Sequence, residues 1–276
     1  IIIKKMRKLF QIFFSTVLLL SYTGLAADTD YSDPTDPNIW GGDCQTGNSQ
    51  SPINIVSSSA FSCGLEQIRL SFFDGEEVLD SSGQAQTAPF PGLNIAVVNQ
   101  DDRYLTYSSL QYHFHQPSEH ELDGVRGDAE IHFVHTLNDL QEVDQTLAVV
   151  GFLFEIDNSV TTDLFDQINF FNESGSSDTA NFNSAFADIL ADAGFYFYLG
   201  SLTTPGCDEI VNWYVHDEFL PIRQANFDKL VANLNNGQAN SRPVQDLEGR
   251  VITHLTPECN SNEVIITAKA KEQSSS

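Results

Sequence analysis

Two short stretches of this chain place histidines where they could share a metal ion. One is Leu110-Gln111-Tyr112-His113-Phe114-His115-Gln116; the other is Ala129-Glu130-Ile131-His132-Phe133-Val134-His135. In a β-strand, successive side chains point to opposite faces. Gln111, His113 and His115 therefore share one face, and so do Glu130, His132 and Val134. If the two strands are antiparallel neighbours, His132 completes a three-histidine site. Three neutral imidazole nitrogens leave the fourth tetrahedral position open for water, as in a catalytic zinc centre. A metal-bound imidazole usually hands its other N–H to an oxygen acceptor, and Gln111 and Glu130 each stand two residues ahead of a ligand on its own face. A single His-x-His pair is more often structural than ligating. The second strand, with its face-matched carboxylate, favours metal. His120 and His135 fall outside this set and read as satisfied structural histidines.

Short strand-like runs must position these groups. Ile68–Phe73, Leu93–Val98, Leu110–Phe114, Ala129–Val134, Thr146–Phe154, Phe195–Gly200 and Val211–Val215 are rich in β-branched and aromatic residues. Three stretches carry apolar residues three and four apart and predict helices: Thr162–Phe170, Ala180–Ala193 and Pro221–Leu234. There is no internal repeat and no long Pro/Gly/Ser linker. The expectation is one mainly β (α+β) domain over residues 28–269, with peripheral short helices and a polar tail at 270–276.

The 276 residues are ample for a sizeable core, and 41% hydrophobic against 18% charged residues describe a globular chain. Thirteen Lys+Arg face 38 Asp+Glu, a formal charge of −25. Such a surface repels phosphate backbones, which argues against nucleic acid and anionic lipid as partners. It favours solubility, including at high ionic strength, where self-repulsion is screened. At the start, Lys4, Lys5, Arg7 and Lys8 precede an apolar run from Leu9 to Leu20 and the small residues Gly24, Ala26 and Ala27. That is a secretory signal pattern over residues 1–27, with Met6 as the expected start. It is short for a transmembrane helix, so no stable membrane insertion is expected after its removal. Cys44, Cys63, Cys207 and Cys259 behind such a segment suggest two disulfides, with three possible connectivities. Asn172-Glu173-Ser174 is a glycosylation acceptor. The expected location is extracellular, periplasmic-type or another lumenal compartment.

From Tyr31 to about Pro243 the chain resembles the α-carbonic anhydrases. Their motifs occur in order: Gln50-Ser51-Pro52-Ile53-Asn54-Ile55, Gln111–His115, Ser118-Glu119-His120, Glu130–His135, Ser201-Leu202-Thr203-Thr204-Pro205, Trp213 and Asn240-Ser241-Arg242-Pro243. Tyr31 and Trp40 keep the family's nine-residue separation. The resemblance implies a large, twisted, mostly antiparallel sheet of about ten strands, with one zinc ion per chain in a conical cleft. It implies that His113, His115 and His132 bind the zinc, backed by Gln111 and Glu130. Thr203 matches the residue that accepts a hydrogen bond from zinc-bound hydroxide and donates its own proton to a buried carboxylate, Glu119. Val134, Val149, Leu202, Val211 and Trp213 match the apolar wall that receives carbon dioxide, and Thr204 a residue that positions bicarbonate. The implied activity is reversible hydration of carbon dioxide to bicarbonate and a proton. The resemblance also implies the Cys44–Cys207 disulfide common in secreted relatives, and with it Cys63–Cys259.

The chain departs from the family at one point of mechanism. The fastest members carry a histidine proton shuttle before the first two ligands, but here no histidine precedes His113. Leu93 stands at the matching position. The expectation is slower proton release, relayed by water past the Tyr31 hydroxyl or an acidic rim residue. A glutamine often found beside this cleft in relatives has no clear counterpart. The rival reading is a secreted binding or matrix module on the same fold; the intact set of ligands, with Thr203 and Glu119, argues against it.

Overall fold

The computed structural model describes residues 40–62, 67–72, 88–89, 93–98, 104–138, 146–167, 185–186, 189–190, 193–234 and 237–257. Tyr31, Cys63, Cys259, Asn172, the expected signal segment and the polar tail lie outside them. Among the described residues the strands are β1 (Asn54–Ile55), β2 (Phe61–Ser62), β3 (Gln67–Phe72), β4 (Ala88–Pro89), β5 (Leu93–Val98), β6 (Tyr104–His115) and β7 (Glu121–Leu122), followed by β8 (Val125–Arg126), β9 (Ala129–Leu137), β10 (Leu147–Ile156), β11 (Phe195–Gly200), β12 (Val211–His216), β13 (Leu220–Ile222) and β14 (Thr253–Leu255). The helices are short: α1 (Asp43–Thr46), α2 (Leu164–Gln167) and α3 (Gln224–Asn233).

Eleven of the strands form one sheet in the order β2-β14-β11-β12-β10-β9-β6-β5-β3, with β13 added to β10 and β4 to β6. Most pairings are antiparallel; β10 with β12, β10 with β13 and β14 with β2 are parallel. The mainly β expectation holds, and the sheet is mixed. β10 lies at its centre and is buried from Leu147 to Phe154. That explains its unbroken apolar run, since both its faces are covered. One expected helix is corrected. Pro221 and Ile222 belong to β13, which runs parallel to β10, and helix begins only at Gln224. Proline is tolerated within β13 because, among the described residues, this short strand pairs with β10 alone, and at an open edge a missing N–H need not join a ladder.

The two faces of the sheet bury different cores. On the back, Tyr112, Phe114, Phe133, Phe152, Phe154 and Tyr214 form a large aromatic cluster. On the front, Val134, Val149, Val211, Trp213 and Tyr198 cluster with Ile53 and Ile55. β6 contributes to both faces through a register slip. Ser109 faces His135 while Gln111 faces Val134, so Leu110 is the extra residue of a β-bulge. The bulge resets the alternation. Before it, Tyr107 lies on the back; after it, Tyr112 and Phe114 do, which turns Gln111, His113 and His115 to the front. Two glycines make room there. A Cβ at Gly151, opposite His132, would stand 3.0 Å from Glu130 Oε1, and one at Gly200 would stand 2.2 Å from Ser51 Oγ.

Helices α2 and α3 are joined at their starts. Asp166 N–H donates to Asp163 Oδ1 (3.1 Å) and Asp163 N–H to Asp166 Oδ2 (3.0 Å), a reciprocal capping box. Asp163 also accepts from Arg223 N–H (2.7 Å) and the Asn226 amide (2.8 Å), while the Arg223 guanidinium pairs with Asp166. Burial raises the Asp166 pKa, but the Asp163 N–H, the Asn226 amide and Arg223 outweigh it and hold the group at about 2.

Deleting Leu110 puts the two halves of β6 out of phase, and we expect it to cost several kcal/mol. Leu110→Ala keeps the bulge, and we expect it to cost less than about 2 kcal/mol. Urea unfolding compares the two, and a deletion variant as stable as the alanine variant would show that the bulge does not set the faces. Because the folded-state pKa of Asp166 is depressed, its contribution is present above the unfolded value and is lost as pH falls toward about 2. The melting temperature of Asp166→Asn should therefore lie below wild type at neutral pH, with the gap closing below about pH 4. A pH-independent gap would mean that the carboxylate charge is not what matters.

Candidate metal centre

β6 and β9 run antiparallel, with His113 directly opposite His132 and His115 opposite Glu130. The rings of His113, His115 and His132 have centroids 4.9, 5.1 and 4.6 Å apart, and one nitrogen of each lies within 4.8 Å of the others. The remaining nitrogens point outward to oxygens. His113 Nδ1 lies 2.9 Å from Gln111 Oε1, His115 Nδ1 2.8 Å from the Asn240 carbonyl, and His132 Nε2 2.8 Å from Glu130 Oε1.

These acceptors fix the tautomers. A carbonyl, amide or carboxylate oxygen can only accept, so each outer nitrogen must carry the proton. The three inner nitrogens, His113 Nε2, His115 Nε2 and His132 Nδ1, are then bare lone pairs aimed at one point. The 3.3 Å approach of His132 Nδ1 to His113 Nε2 is a contact between two acceptors, not a hydrogen bond. His115 Nε2 is buried without any partner. Three converging lone pairs are mutually repulsive unless a cation stands among them, so the donor set fits a zinc ion. Burial holds all three histidines neutral, the state a ligand needs. The His115 pKa falls to about 4, and those of His113 and His132 also fall below the usual range.

Behind the triad, the fully buried Glu130 accepts four hydrogen bonds. Oε1 takes His132 Nε2–H and His120 Nδ1–H (2.7 Å); Oε2 takes the backbone N–H groups of Glu119 and His120 (2.8 Å each). Burial alone would raise its pKa, but His120 and His132 reverse this and hold it well below the usual range. His120, Glu130 and His132 also cluster closely enough to suggest a second metal site. Their short contacts are hydrogen bonds to one shared oxygen, which leaves no room for a second ion. The other nitrogen of His120 meets Tyr198 OH at 2.7 Å, so the expectation of a satisfied structural histidine holds there. His135 is buried too: its Nδ1 donates to the Ala148 carbonyl, and its Nε2 has no protein partner among the described residues.

Glu119 is also fully buried. Its Oε1 accepts Arg242 N–H at 2.8 Å and lies 3.5 Å from His115 Nδ1; its Oε2 lies 4.0 Å from His132 Nδ1. Burial pushes this carboxyl up to about 7, against the pull of His132, the Arg242 N–H and the Thr203 hydroxyl. Thr203 is thus near Glu119, although Oε2 has no full hydrogen bond. Val134, Val149, Val211 and Trp213 form one buried wall, with Leu202 packed partly exposed against it. The Trp213 ring lies 4.8 Å from His132, and its indole N–H donates to the Ser201 carbonyl. Thr204, partly exposed, turns the chain by accepting Cys207 N–H. Cys207 is disulfide-bonded to Cys44, with the Cα atoms 5.0 Å apart.

Side-chain spacing did not reveal Asn240 and Arg242 as contributors. Asn240 accepts from His115 through its carbonyl and from Gln116 N–H through Oδ1, while its amide donates to the Phe114 carbonyl. The buried Arg242 guanidinium donates to the carbonyls of Cys44 and Ser51 and to Gln50 Oε1, and it lies over the Trp40 ring. Their only sequence signal was the Asn240–Pro243 motif, more than a hundred residues from the ligands it supports.

The chain is similar to known proteins. Residues 35–256 match the family model described as eukaryotic-type carbonic anhydrase. A carbonic anhydrase of Pectobacterium carotovorum is 30% identical over 254 residues, covering 87% of this chain and 98% of that protein. Dioscorin DB3L of Dioscorea polystachya is 29% identical, covering 88% of this chain and 93% of that protein. The solved structure of α-carbonic anhydrase from Thermovibrio ammonificans with the inhibitor sulfanilamide superposes with a TM-score of 0.56 at 26% identity, covering 76% of this chain and 89% of that one. With a family match over most of its length and relatives matched nearly end to end, the chain belongs to the eukaryotic-type (α-class) carbonic anhydrase family.

Proposed function

We propose that this chain is an active zinc carbonic anhydrase that interconverts carbon dioxide and bicarbonate. The observation that carries the reading is the convergence of three bare imidazole nitrogens from His113, His115 and His132. Relatives such as the dioscorins show that the family has members under other names, and the intact triad favours catalysis over a binding or matrix role. Zinc, when bound there, would lower the pKa of a coordinated water from 15.7 to about 7.

The chain's own residues supply the rest. The oxygens of Gln111, Asn240 and Glu130 hold the imidazole rings at fixed angles, so the donor atoms need not reorganise. With Glu119 as acceptor, Thr203 gives up its hydroxyl proton in a hydrogen bond and keeps its lone pairs for an O–H group beside the triad. That fixes where the O–H hydrogen points and leaves an oxygen lone pair free to attack carbon. Val134, Val149, Leu202, Val211 and Trp213 offer carbon dioxide an apolar wall and exclude competing water. Thr204 stands at the partly exposed edge, where a bicarbonate oxygen would need a polar neighbour.

Proton release is the step with no resident histidine. All seven histidines are accounted for. Three form the triad, and His120 and His135 are buried. His216 is held at the Glu218 backbone and His254 at Asp217. Solution buffer, or the Tyr31 hydroxyl with ordered water, is the route we propose. Secretion is part of the same reading. A disulfide such as Cys44–Cys207 persists in oxidising compartments. No helix among the described residues is long and apolar enough to cross a membrane. We also propose the Cys63–Cys259 bridge and glycosylation at Asn172.

Zinc analysis with stopped-flow carbon dioxide hydration tests the central reading. Wild type should hold one zinc per chain and be active, whereas His132→Ala should lose most of its zinc and its activity. A fully loaded, fully active His132→Ala enzyme would refute the site. Glu130→Gln should weaken zinc affinity by about 10- to 100-fold. Turnover should also climb as small imidazole buffers are added; a flat response would mean that the chain has its own proton acceptor.

A further inference from the structure

The loop that carries Thr203 is closed on itself. Leu202 N–H donates to the Asp208 carbonyl and Cys207 N–H to the Thr204 carbonyl, both at 3.0 Å. Where this closed loop sits against the rest of the fold decides how the Thr203 hydroxyl meets the Glu119 carboxylate. The Cys44–Cys207 disulfide is one tie, but a single tie leaves a loop free to pivot about it. A second tie stands two residues further on. Glu209 Oε1 accepts Ser49 N–H at 2.6 Å and the Gln50 amide at 2.9 Å.

Gln50 carries that tie inward. Its buried side chain has two amide protons. One goes to Glu209 and the other to the Cys207 carbonyl at 3.1 Å, while its Oε1 accepts from the Arg242 guanidinium at 3.0 Å. A flipped amide would set N–H against guanidinium and oxygen against oxygen, so its orientation is fixed. Arg242 in turn donates its backbone N–H to Glu119 Oε1 at 2.8 Å. The run Glu209–Gln50–Arg242 therefore starts at the Thr203 loop and ends on the carboxylate that faces Thr203. Gly47 keeps the junction clear, because a Cβ there would collide with both Gln50 Nε2 and Glu209 Oε1.

We propose that Glu209 is a positioning residue for Thr203: by holding the loop to Ser49 and Gln50, it keeps the Thr203 hydroxyl aligned with Glu119. The inference rests on the reading of Thr203 as the group that orients an O–H beside the triad. Glu209 acts through Thr203 and not on the three histidines, so its effect must vanish when the Thr203 hydroxyl is absent.

A double-mutant cycle with Thr203→Val tests this. In the zinc enzyme, Glu209→Ala should lower kcat/KM for carbon dioxide hydration about 10- to 100-fold with zinc content unchanged. In the Thr203→Val background the same substitution should cost nothing further. Glu209→Gln keeps an oxygen that can accept both donors and should recover most of the loss. A second readout needs no turnover: in the cobalt-loaded protein, the pH at which the visible spectrum changes reports the metal-bound water. Glu209→Ala should move that midpoint in the same direction as Thr203→Val, with no added shift in the double variant. If Glu209→Ala does not fold, Glu209→Asp, too short to reach Ser49, takes its place in the cycle. Losses that multiply in the double variant would overturn the proposal, as would a Glu209→Ala enzyme that matches wild type in both readouts. Loss of zinc from Glu209→Ala would also overturn it, by placing its action on the triad. A wild type that binds metal without hydrating carbon dioxide would count against the proposed function alone, and the cobalt cycle would still decide the role of Glu209.

Discussion

The centre depends on a buried carboxylate that has to be satisfied. Glu130 lies fully inside the protein, where an ionised group is tolerated only if its oxygens find donors. It finds four, and each one fixes something else. His132 Nε2–H sets the tautomer that frees Nδ1 for the shared centre. His120 Nδ1–H orients a ring whose other nitrogen reaches Tyr198. The two backbone N–H groups lock the turn at Glu119 and His120, and so place the Glu119 carboxylate behind the triad. The absence of a side chain at Gly151 is part of the same requirement, because a Cβ there would crowd the Glu130 oxygen.

A second constraint acts from the far end of the chain. The Asn240–Arg242 segment offers one main-chain acceptor to His115 and one main-chain donor to Glu119. Main-chain groups can be aimed this way only if the side chains hold the segment still. The Asn240 side chain bonds twice to the end of β6, and the Arg242 guanidinium bonds to the 44–51 region. That region is in turn tied by the disulfide to Cys207, close after Thr203 and Thr204. The ligand His115, the acceptor Glu119 and the loop bearing Thr203 are thus braced by one connected set of hydrogen bonds and a covalent link.

The parts legible in the sequence are those expressed as side-chain type at a fixed period. Alternation along 111–115 and 130–134 was enough to bring His113, His115 and His132 to one face, with Gln111 and Glu130 beside them. The Leu93–Val98 and Phe195–Gly200 strands were readable because β-branched and aromatic residues favour a pleated backbone. The bulge at Leu110 was not. An alternating pattern read from Leu110 onward is correct, but nothing in residue type says that the phase changes there. Pro221 and Ile222 continued a helical spacing that tertiary pairing with β10 overrode. Asn240 was hidden for a different reason: its contribution to His115 is a carbonyl oxygen, which every residue has.

The acidic surface links these observations to the cations. Among the described side chains only five are Lys or Arg, and the arginines have structural roles. Arg242 and Arg250 donate to backbone carbonyls, Arg126 to the Ser118 carbonyl and Ser241, and Arg223 to the carboxylates that join two helices. Among the described residues, these arginines are engaged inside the fold rather than spread over the surface. The self-repulsion that goes with a formal charge of −25 opposes the compact state and weakens as salt rises. The internal ties described above are buried or covalent, which is where salt has least effect. This division of roles lets the centre keep its geometry while the surface remains strongly anionic.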